Sequence, residues 1–493
     1  MERASGILLH PTSLPGSYGI GTLGRECLAF IDFLARAGQK YWQILPLGPT
    51  GYADSPYQCF SSFAGNPLLI NLDSLVEEKL LKSSDLLPMR SFDDGPVDYG
   101  KVIMLKYPLL KKALSNFLNN GSEEDLRAFQ LFVRENNGWL DDYALFMALK
   151  ASMDQKPWSQ WEKPLKMRSE KELEKKRIAL HEEIVFHQFL QYIFFRQWNL
   201  VKTYARERGV RIIGDIPLYI AMDSADAWAH PELFEFSEDK EPIAVGGVPP
   251  DYFSQTGQLW GNPLFRWDVH KKNGYNWWIN RIRWNLGLYD VVRIDHFRGF
   301  AGYWSVPFGE TTAINGRWVD GPGKDLFLAI ADALGDIPVI AEDLGVITDD
   351  VTDLRDSFGL PGMKILQFAF DSAEENDYIP HNFTRNCIVY TGTHDNDTVT
   401  GWFAKAKKED REYVMKYINT DAKNIHWDFI RLAFASVACT AVIPMQDLLG
   451  LGPETRMNLP GTTQGNWQWR MKAGQATNAL AERLAEMTKL YSR

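Results

Sequence analysis

Cysteine is scarce in this sequence. Four cysteines, at positions 27, 59, 387 and 439, are spread over 493 residues, and no two of them form a CxxC pair. A disulfide framework and a zinc ribbon both need cysteines at short, regular spacings, so neither is indicated. Burial as small apolar side chains in a reducing compartment is the simplest interpretation of all four.

Long apolar runs are missing as well. The longest, at 432–445, is interrupted by Ser436, Thr440 and Pro444 and is too short to span a bilayer. The first residues, MERASG, contain no apolar core of a signal peptide. We therefore expect a soluble, cytoplasmic protein with no membrane association.

Basic residues are not in excess. The chain has 53 Lys and Arg against 63 Asp and Glu, which gives a net charge of −10. Nucleic-acid-binding proteins usually present a basic face, and anionic membrane surfaces attract basic segments. Neither nucleic acid nor a membrane is therefore expected as a partner.

Tryptophan, in contrast, is abundant. There are 17 Trp in 493 residues, a few-fold more than in most proteins. Trp has an apolar face and a polar edge, and sugars combine apolar C–H faces with hydroxyl edges in the same way. Packing in the core explains any single Trp equally well, so the count alone only favours a sugar ligand.

Eight short apolar runs alternate with helical patterns and end in polar, Gly or Pro residues. Alternating strands and helices predict a parallel sheet, and continuous apolar runs are typical of strands buried on both faces. Eight such units predict a (β/α)8 barrel. The predicted strands are 6–9, 41–45, 210–213, 290–294, 338–341, 363–370, 387–390 and 440–443.

The spacing of these strands is uneven, which predicts large insertions after strands two, three and four. The stretch 71–200 is mostly helical by its period, and 220–285 is rich in Gly, Pro, Trp and Tyr. Long loops in compact proteins are usually functional, so we expect 220–285 to be loop-rich and to lie over the active site. We expect one catalytic barrel over 1–493, without a C-terminal β-domain.

Three acids stand where predicted strands end: Asp295, Glu342 and Asp395. In a barrel of this kind the chemistry lies at the carboxyl ends of the strands. Each acid alone could cap a following helix, but three together favour a catalytic site. Magnesium held by three acids, as in enolase-type sites, remains an alternative. Lys364 begins strand six rather than ending it, which weakens that alternative because it removes a candidate base.

The neighbours of two acids predict different protonation states. Arg293 and Asp295 are two residues apart, so both side chains lie on the same side of the strand. The guanidinium should keep Asp295 ionised and nucleophilic. Glu342 has no basic neighbour in sequence, so a raised pKa and a role as general acid are expected. A nucleophile with a general acid is the arrangement of retaining glycosidases.

Three other kinds of catalytic motif are not found. The sequence contains no GxxxxGK[ST] phosphate loop and no HExxH zinc helix. It also contains no GxSxG nucleophile elbow.

The acid-bearing segments RIDHFRG (293–299), AEDLG (341–345) and THDNDT (393–398) resemble those of the α-amylase clan. Within that clan, the residues of these segments most resemble those of glycoside hydrolase family 77, the amylomaltases or 4-α-glucanotransferases. The match extends to 5–16, 54–57, 247–253, 257–263 and 465–470. Strand three reads GDIPLY (214–219) and lacks the Asn-His pair usual in amylases. Family 77 shares that departure.

The resemblance implies a role for each matching residue. Asp295 would be the nucleophile, Glu342 the acid/base and Asp395 the transition-state stabiliser, with Arg293 and His394 contacting the same sugar. The donor and acceptor sites would be lined by Tyr57, Asp251, Gln258, Trp260, Asp371 and Asn466. A second glucan contact outside the catalytic cleft would involve Tyr52 and Tyr99. The partners would be α-1,4-glucans and maltooligosaccharides, and the chemistry needs neither a metal nor an organic cofactor.

The expected activity is transfer of an α-1,4-glucan segment to the 4-OH of another maltooligosaccharide, with release of glucose or shorter chains. Two alternatives remain open from the residues alone. The same acids could hydrolyse the bond with water, as in an α-amylase or α-glucosidase. The barrel could also be a catalytically silent glucan binder, although such a protein would be expected to have lost one of the three acids.

Overall fold

The computed structural model describes residues 2–250, 254–345, 347–370 and 376–493. The strands found in these ranges are β1 (Ala4–Leu8), β2 (Tyr41–Gln43), β3 (Arg211–Pro217), β4 (Ala244–Val248), β5 (Gln258–Pro263), β6 (Val291–Asp295), β7 (Gly302–Pro307), β8 (Arg317–Asp320), β9 (Val339–Ala341), β10 (Gly362–Ile365), β11 (Cys387–Tyr390) and β12 (Thr440–Pro444).

Eight of these strands form one parallel sheet, in the order β10-β11-β12-β1-β2-β3-β6-β9. The sheet curls until its two edges meet, where the Ala341 N–H donates to the Pro361 carbonyl oxygen over 2.9 Å. The eight strands are those expected from the sequence. The prediction of a (β/α)8 barrel is therefore confirmed.

Two strands end four or more residues from the expected position. Strand six was expected to reach residue 370, but it ends at Ile365 and continues as a 3-10 turn over Leu366–Phe368. The residues that follow are still buried, so the apolar run marks burial rather than extended backbone. Strand three continues past residue 213 to Pro217, because it pairs along that length with β6.

Alternate residues of the barrel strands face opposite sides. Val292 and Ile294 of β6 pack outward into the large core under the helices. Val291 packs inward with Ile213 and Ile340. By this alternation Arg293 and Asp295 also face the inside of the barrel, toward its carboxyl end.

The chain between β2 and β3 carries seven α-helices. Their interface contains many aromatic ring contacts, such as Phe117 tilted against Phe189 with 5.2 Å between centroids. The helices are α2 (Leu72–Glu77), α3 (Tyr99–Asn120), α4 (Glu123–Glu135), α5 (Asn137–Ser152), α6 (Lys163–Lys166), α7 (Glu170–Ala179) and α8 (His181–Glu207).

The remaining helices cover the outside of the barrel or belong to its connections. They are α1 (Arg25–Arg36), α9 (Ala225–Ala229), α10 (Trp267–Lys272), α11 (Asn276–Leu288), α12 (Gly323–Leu334), α13 (Asp349–Ser357), α14 (Val399–Lys405), α15 (Lys408–Ile418), α16 (Ile425–Ala435), α17 (Met445–Leu448) and α18 (Asn478–Leu490). In the part of the chain that is described, no helix has both the length and the apolar character to cross a membrane.

Much of the tryptophan serves packing. Five Trp are among the largest fully buried side chains: Trp42, Trp158, Trp198, Trp228 and Trp278. These five Trp pack in the core, so the abundance of Trp does not by itself indicate a sugar ligand.

A second, antiparallel sheet lies outside the barrel in the order β5-β4-β7-β8. It is built from the connection after β3 and the connection after β6. The stretch 220–285, expected to be loop-rich, thus contains two strands of this sheet as well as α9, α10 and most of α11. Gly246 and Gly247 interrupt the alternation of β4. A Cβ at Gly246 would lie 2.8 Å from the Tyr219 ring, and one at Gly247 would lie 2.5 Å from the Gln258 carbonyl oxygen.

Candidate active site

The barrel brings the predicted acids to one end of the sheet. Asp295 is the last residue of β6, and Glu342 directly follows the neighbouring strand β9. Asp395 follows β11 after a short connection. Three carboxylates at the mouth of a barrel need strong partners, because an unpaired buried charge is costly.

Arg293 is the buried cation of this group. Its Nη2 lies 2.9 Å from Oδ1 of Asp295, and its Nη1 lies 2.7 Å from Oδ2 of Asp215. Burial alone lowers the pKa of Arg293, but the two carboxylates outweigh it and raise the pKa well above its ordinary value. Asp295 therefore faces a permanent positive charge, and the predicted pairing of Arg293 with Asp295 is confirmed.

Asp215 is part of the site although the sequence analysis did not select it. Besides Arg293, its Oδ2 accepts a hydrogen bond of 2.8 Å from the Tyr57 hydroxyl. Burial raises the pKa of Asp215, while Arg293 opposes that rise. Asp215 and Arg293 are opposite one another in the β3–β6 register, so strand pairing was the missing signal.

Glu342 has an environment unlike that of Asp295. Its Oε2 accepts the His296 N–H over 2.6 Å, and its Oε1 accepts the Leu344 N–H over 3.1 Å. Burial, followed by the nearby charge of Asp295, raises the pKa of Glu342 to about 8. The raised pKa expected from the sequence is confirmed, and Glu342 carries a proton at neutral pH.

His296 presents its amide to Glu342 from a left-handed backbone conformation, with φ of 54°. Left-handed φ in a non-glycine residue is strained and is often found at functional sites. The ring is held edge-on to Trp260 at 4.8 Å between centroids. Burial lowers the pKa of His296 to about 4, so the ring is neutral beside the acids.

Asp395 is held by a different loop. Its Oδ1 accepts a hydrogen bond of 2.6 Å from the Asn458 amide, and its backbone carbonyl accepts one from Arg456. His394 Nε2 lies 3.4 Å from Asp395 Oδ2. The side chain of Asp395 is 45% exposed, so it is fixed in place yet open to a ligand.

Three aromatic rings close the same end of the barrel. Tyr57 stacks on His394 with 5.2 Å between centroids and 19° between planes. Trp467 lies 5.8 Å from each of them. Trp467 was not selected from the sequence, although it stands in the GNWQWR segment. Together the rings provide an apolar surface beside the carboxylates, which suits a sugar face.

Comparison with known proteins agrees with this geometry. A family model described as 4-alpha-glucanotransferase, glycoside hydrolase family 77, matches residues 9–477. The chain belongs to this family.

Relatives match over their full length. The 4-alpha-glucanotransferases of Thermus thermophilus and Synechocystis are 50% and 51% identical to this chain, over all of it and over 99% and 98% of the relatives. Amylomaltase from Streptococcus agalactiae, solved in complex with acarbose, superposes with a TM-score of 0.97 at 44% identity, covering 100% of both chains. Amylomaltase from Corynebacterium glutamicum shares the fold at 19% identity, with a TM-score of 0.80 over 99% of this chain and 75% of its own.

Two of the family's substrate-binding candidates lie on β5. Trp260 donates from Nε1 to Gln258 Oε1 over 3.2 Å, and its ring contacts His296 as described. This contact places the edge of the second sheet against the acid site. Two further substrate-binding candidates, Asp251 and Asp371, lie outside the described residues, so their roles stay predictions.

Asn466 shapes the loop that holds Asp395. Its Oδ1 accepts the Leu459 N–H over 2.9 Å, and its Nδ2 donates to the Thr462 carbonyl over 2.9 Å. These bonds fix the turn directly after Asn458. Both ends of the Asn466 amide are thus engaged within the loop.

Tyr52 and Tyr99 differ sharply in exposure. Tyr52 is 73% exposed, whereas Tyr99 is 5% exposed and donates from its hydroxyl to the Trp467 carbonyl over 2.9 Å. Tyr99 begins α3 and packs there beside Val102. Its ring therefore has little free surface, and a glucan contact by Tyr99 stays a prediction. Tyr52 retains a free surface.

The described residues contain no group of three or more His, Cys, Asp or Glu placed to hold a metal ion. Asp295 instead accepts from Arg293, and Glu342 accepts from two backbone amides.

Proposed function

We propose that the protein transfers a segment of an α-1,4-glucan from one maltooligosaccharide to the 4-OH of another, by a retaining double displacement. The observation that supports it is the contrast between two neighbouring acids. Asp295 faces the guanidinium of Arg293, whereas the pKa of Glu342 is raised to about 8. One acid is thus prepared to attack and the other to donate a proton.

In the first step, Asp295 attacks C1 of the donor sugar. The C1–O4 bond breaks while Glu342 gives its proton to the departing oxygen, and a covalent glycosyl-enzyme forms. The released fragment is glucose or a short maltooligosaccharide. A carboxyl separation of about 5–5.5 Å, typical of retaining enzymes, is predicted for Asp295 and Glu342.

In the second step, the 4-OH of an acceptor sugar attacks C1. Glu342, now ionised, takes the hydroxyl proton, and Asp295 leaves as the carboxylate. The configuration at C1 is retained because it inverts twice. No metal or organic cofactor enters either step.

Asp395 and His394 are proposed to hold hydroxyls of the reacting sugar. The Asn458 amide fixes the Asp395 carboxylate, so the carboxylate can stabilise positive charge at C1 without reorganising. Tyr57 would contact the apolar face of the sugar. Gln258, Trp260 and Asn466, together with Asp251 and Asp371, are proposed to line the donor and acceptor positions.

Sugar rather than water is proposed as the acceptor. A bound 4-OH held against C1 can reach effective molarities of about 10⁵ M or more, which exceeds that of bulk water. The second sheet reaches the acids through Trp260, so the insertion 220–285 is proposed to cover the glycosyl-enzyme. We propose that the whole of 1–493 acts as one catalytic unit in the cytoplasm.

Incubation with maltotriose tests this function. Transfer gives glucose together with a ladder of longer maltooligosaccharides, at a constant number of reducing ends. Hydrolysis gives glucose and maltose, and reducing ends rise as fast as glucose. The second result would overturn the proposal in favour of a hydrolase, and no reaction at all would favour a silent binding barrel.

A further inference from the structure

An open cleft of about 500 Å³ lies where the second sheet meets the start of α10. Phe236, Phe265 and Trp267 line it on one side, and Tyr303 of β7 and Asp320 of β8 line it on the other. Clefts of this size are typical of sites for small molecules.

The cleft is separate from the catalytic acids. None of its lining residues belongs to a barrel strand or to the acid site. Phe265 stacks on Tyr219 at 6.4 Å between centroids, and the other contacts of Tyr219 are with Trp260 and His296. Tyr219 therefore stands between the cleft and the catalytic acids, and the cleft opens behind the wall of the active site.

The aromatic rings of the cleft are held rigidly. Trp267 is half-buried and packs against Phe265 at 5.0 Å and against Trp278 at 6.0 Å between centroids. Phe236 is held edge-on by Trp158 at 5.8 Å. A fixed, partly exposed aromatic face gives contact area at a small loss of side-chain entropy.

The cleft also contains polar groups without partners. Tyr303 is 4% exposed, and its hydroxyl makes no hydrogen bond to any residue that the structure describes. The carboxylates of Glu235 and Asp320 likewise make neither a hydrogen bond nor an ion pair within the described ranges. Burial and these two carboxylates raise the pKa of Tyr303, so its hydroxyl stays a donor. The Tyr303 hydroxyl is not sealed from solvent, so a ligand in the cleft that accepts a hydrogen bond can replace water there.

We propose that this cleft binds a second α-glucan chain, apart from the catalytic site. Glucan hydroxyls can accept from Tyr303 and donate to Glu235 and Asp320, while the sugar faces lie on Trp267 and Phe236. Arg266 and Asp268 also line the cleft and lie 3.6 Å apart, so a neutral, hydroxyl-rich chain meets donors, acceptors and flat rings there. The identity of the ligand as glucan depends on the proposed function, because that function makes glucan the substrate.

The test uses the full-length chain with Glu342→Gln, so that a glucan is bound but not consumed, and with Tyr52→Ala, so that the proposed contact at Tyr52 does not add a site. Titration calorimetry with maltoheptaose is expected to give two sites per chain. Adding Tyr303→Phe and Asp320→Ala should leave one site. Migration through a native gel containing glycogen should show an affinity at least about fivefold weaker, from two lost hydrogen bonds.

Glu238→Gln is the matched control, since Glu238 is exposed and close in sequence but does not line the cleft. It should bind like the parent. Unchanged glycogen affinity and two remaining sites in the cleft variant, with unchanged thermal unfolding, would overturn the second site. Failure of the unsubstituted protein to transfer from maltotriose would overturn the proposed function instead, so the two failures are distinct.

Discussion

Asp215 and Arg293 face each other across two neighbouring barrel strands, with 2.7 Å between Oδ2 and Nη1. Because this pair fixes one nitrogen of the guanidinium, the other is directed at Asp295. The ion pair is fully buried, and removing one partner of such a pair leaves an uncompensated charge. The pair therefore positions the charge that Asp295 meets.

Asp215→Asn is expected to lower kcat for transfer from maltotriose by about 10- to 100-fold, because a neutral amide holds the guanidinium of Arg293 more weakly than the carboxylate does. Tyr57→Phe removes only the hydrogen bond to Asp215 and should lower kcat less. Thermal unfolding of both variants separates this effect from loss of fold. An Asp215→Asn variant with unaltered kcat would contradict the positioning role.

Asp295→Asn should abolish transfer, with a loss of about four orders of magnitude or more, as for other covalent nucleophiles. The amide oxygen can still accept from Arg293, so the fold should remain. Maltotriose turnover and circular dichroism measure the two effects. Asp325→Asn, on the exposed start of α12, is the control and should behave like the parent. Near-normal turnover in Asp295→Asn would rule out its role as nucleophile.

The raised pKa of Glu342 predicts a pH dependence of both activity and stability. Transfer should decline as pH rises through about 8, because the general acid loses its proton. A carboxyl with a raised pKa in the folded state favours folding at low pH, and that contribution is lost as pH rises from about 4.5 to about 8. Glu342→Gln should therefore be inactive, and its stability relative to the parent should increase between pH 5 and pH 8. Denaturant unfolding at the two pH values measures this difference, and a constant difference would contradict it.

Tyr52 and Tyr99 form a pair with opposite expected effects. Tyr52→Ala should change the product sizes from long amylose and leave maltotriose turnover intact, because Tyr52 is exposed away from the acids. Tyr99→Phe should instead lower the free energy of unfolding by about 0.5–1.5 kcal/mol, since it loses the hydrogen bond to Trp467. Chain-length analysis and denaturant titration of both variants check this. Identical product profiles for Tyr52→Ala and the parent would remove the surface contact.

Trp260→Ala should raise the ratio of hydrolysis to transfer, because the ring is proposed to hold the acceptor sugar and exclude water. Reducing ends gained measure hydrolysis alone, and glucose released from maltotriose measures both reactions. Trp318→Ala, an exposed Trp on the far strand of the same sheet, is the control and should leave the ratio unchanged. A Trp260→Ala variant in which both reactions fall in proportion would refute the proposed role.

The sequence was sufficient for the barrel and for the acids at its strand ends. The eight buried strands are apolar runs, and an acid directly after such a run is visible without a structure. Because Arg293 and Asp295 are two residues apart on one strand, the sequence also predicted that their side chains lie on the same side of it. Asp215 could not be selected in the same way, because its partner is 78 residues away and the contact depends on the register of β3 with β6.

The sequence could not predict the second sheet or the buried position of Tyr99 either. β4 and β7 pair across more than 50 residues, and the Gly246–Gly247 pair removes the alternation that would identify β4. Tyr99 begins a helix, where an aromatic residue has the same local pattern whether it is buried or exposed. The cover over Tyr99 includes the loop around Trp467, which comes from the other end of the chain.

That loop is joined to the first hundred residues. The Val97 N–H donates to the Gln468 carbonyl over 2.8 Å, and the Met471 N–H donates to the Ser13 carbonyl over 2.8 Å. Since the loop supplies the Asn458 amide that fixes Asp395, a ribosome-bound chain that stops before residue 457 has Asp295 and Glu342 but lacks the support for Asp395. We expect a growing polypeptide to acquire its catalytic centre only when its last segment has been synthesised and has folded back onto the first.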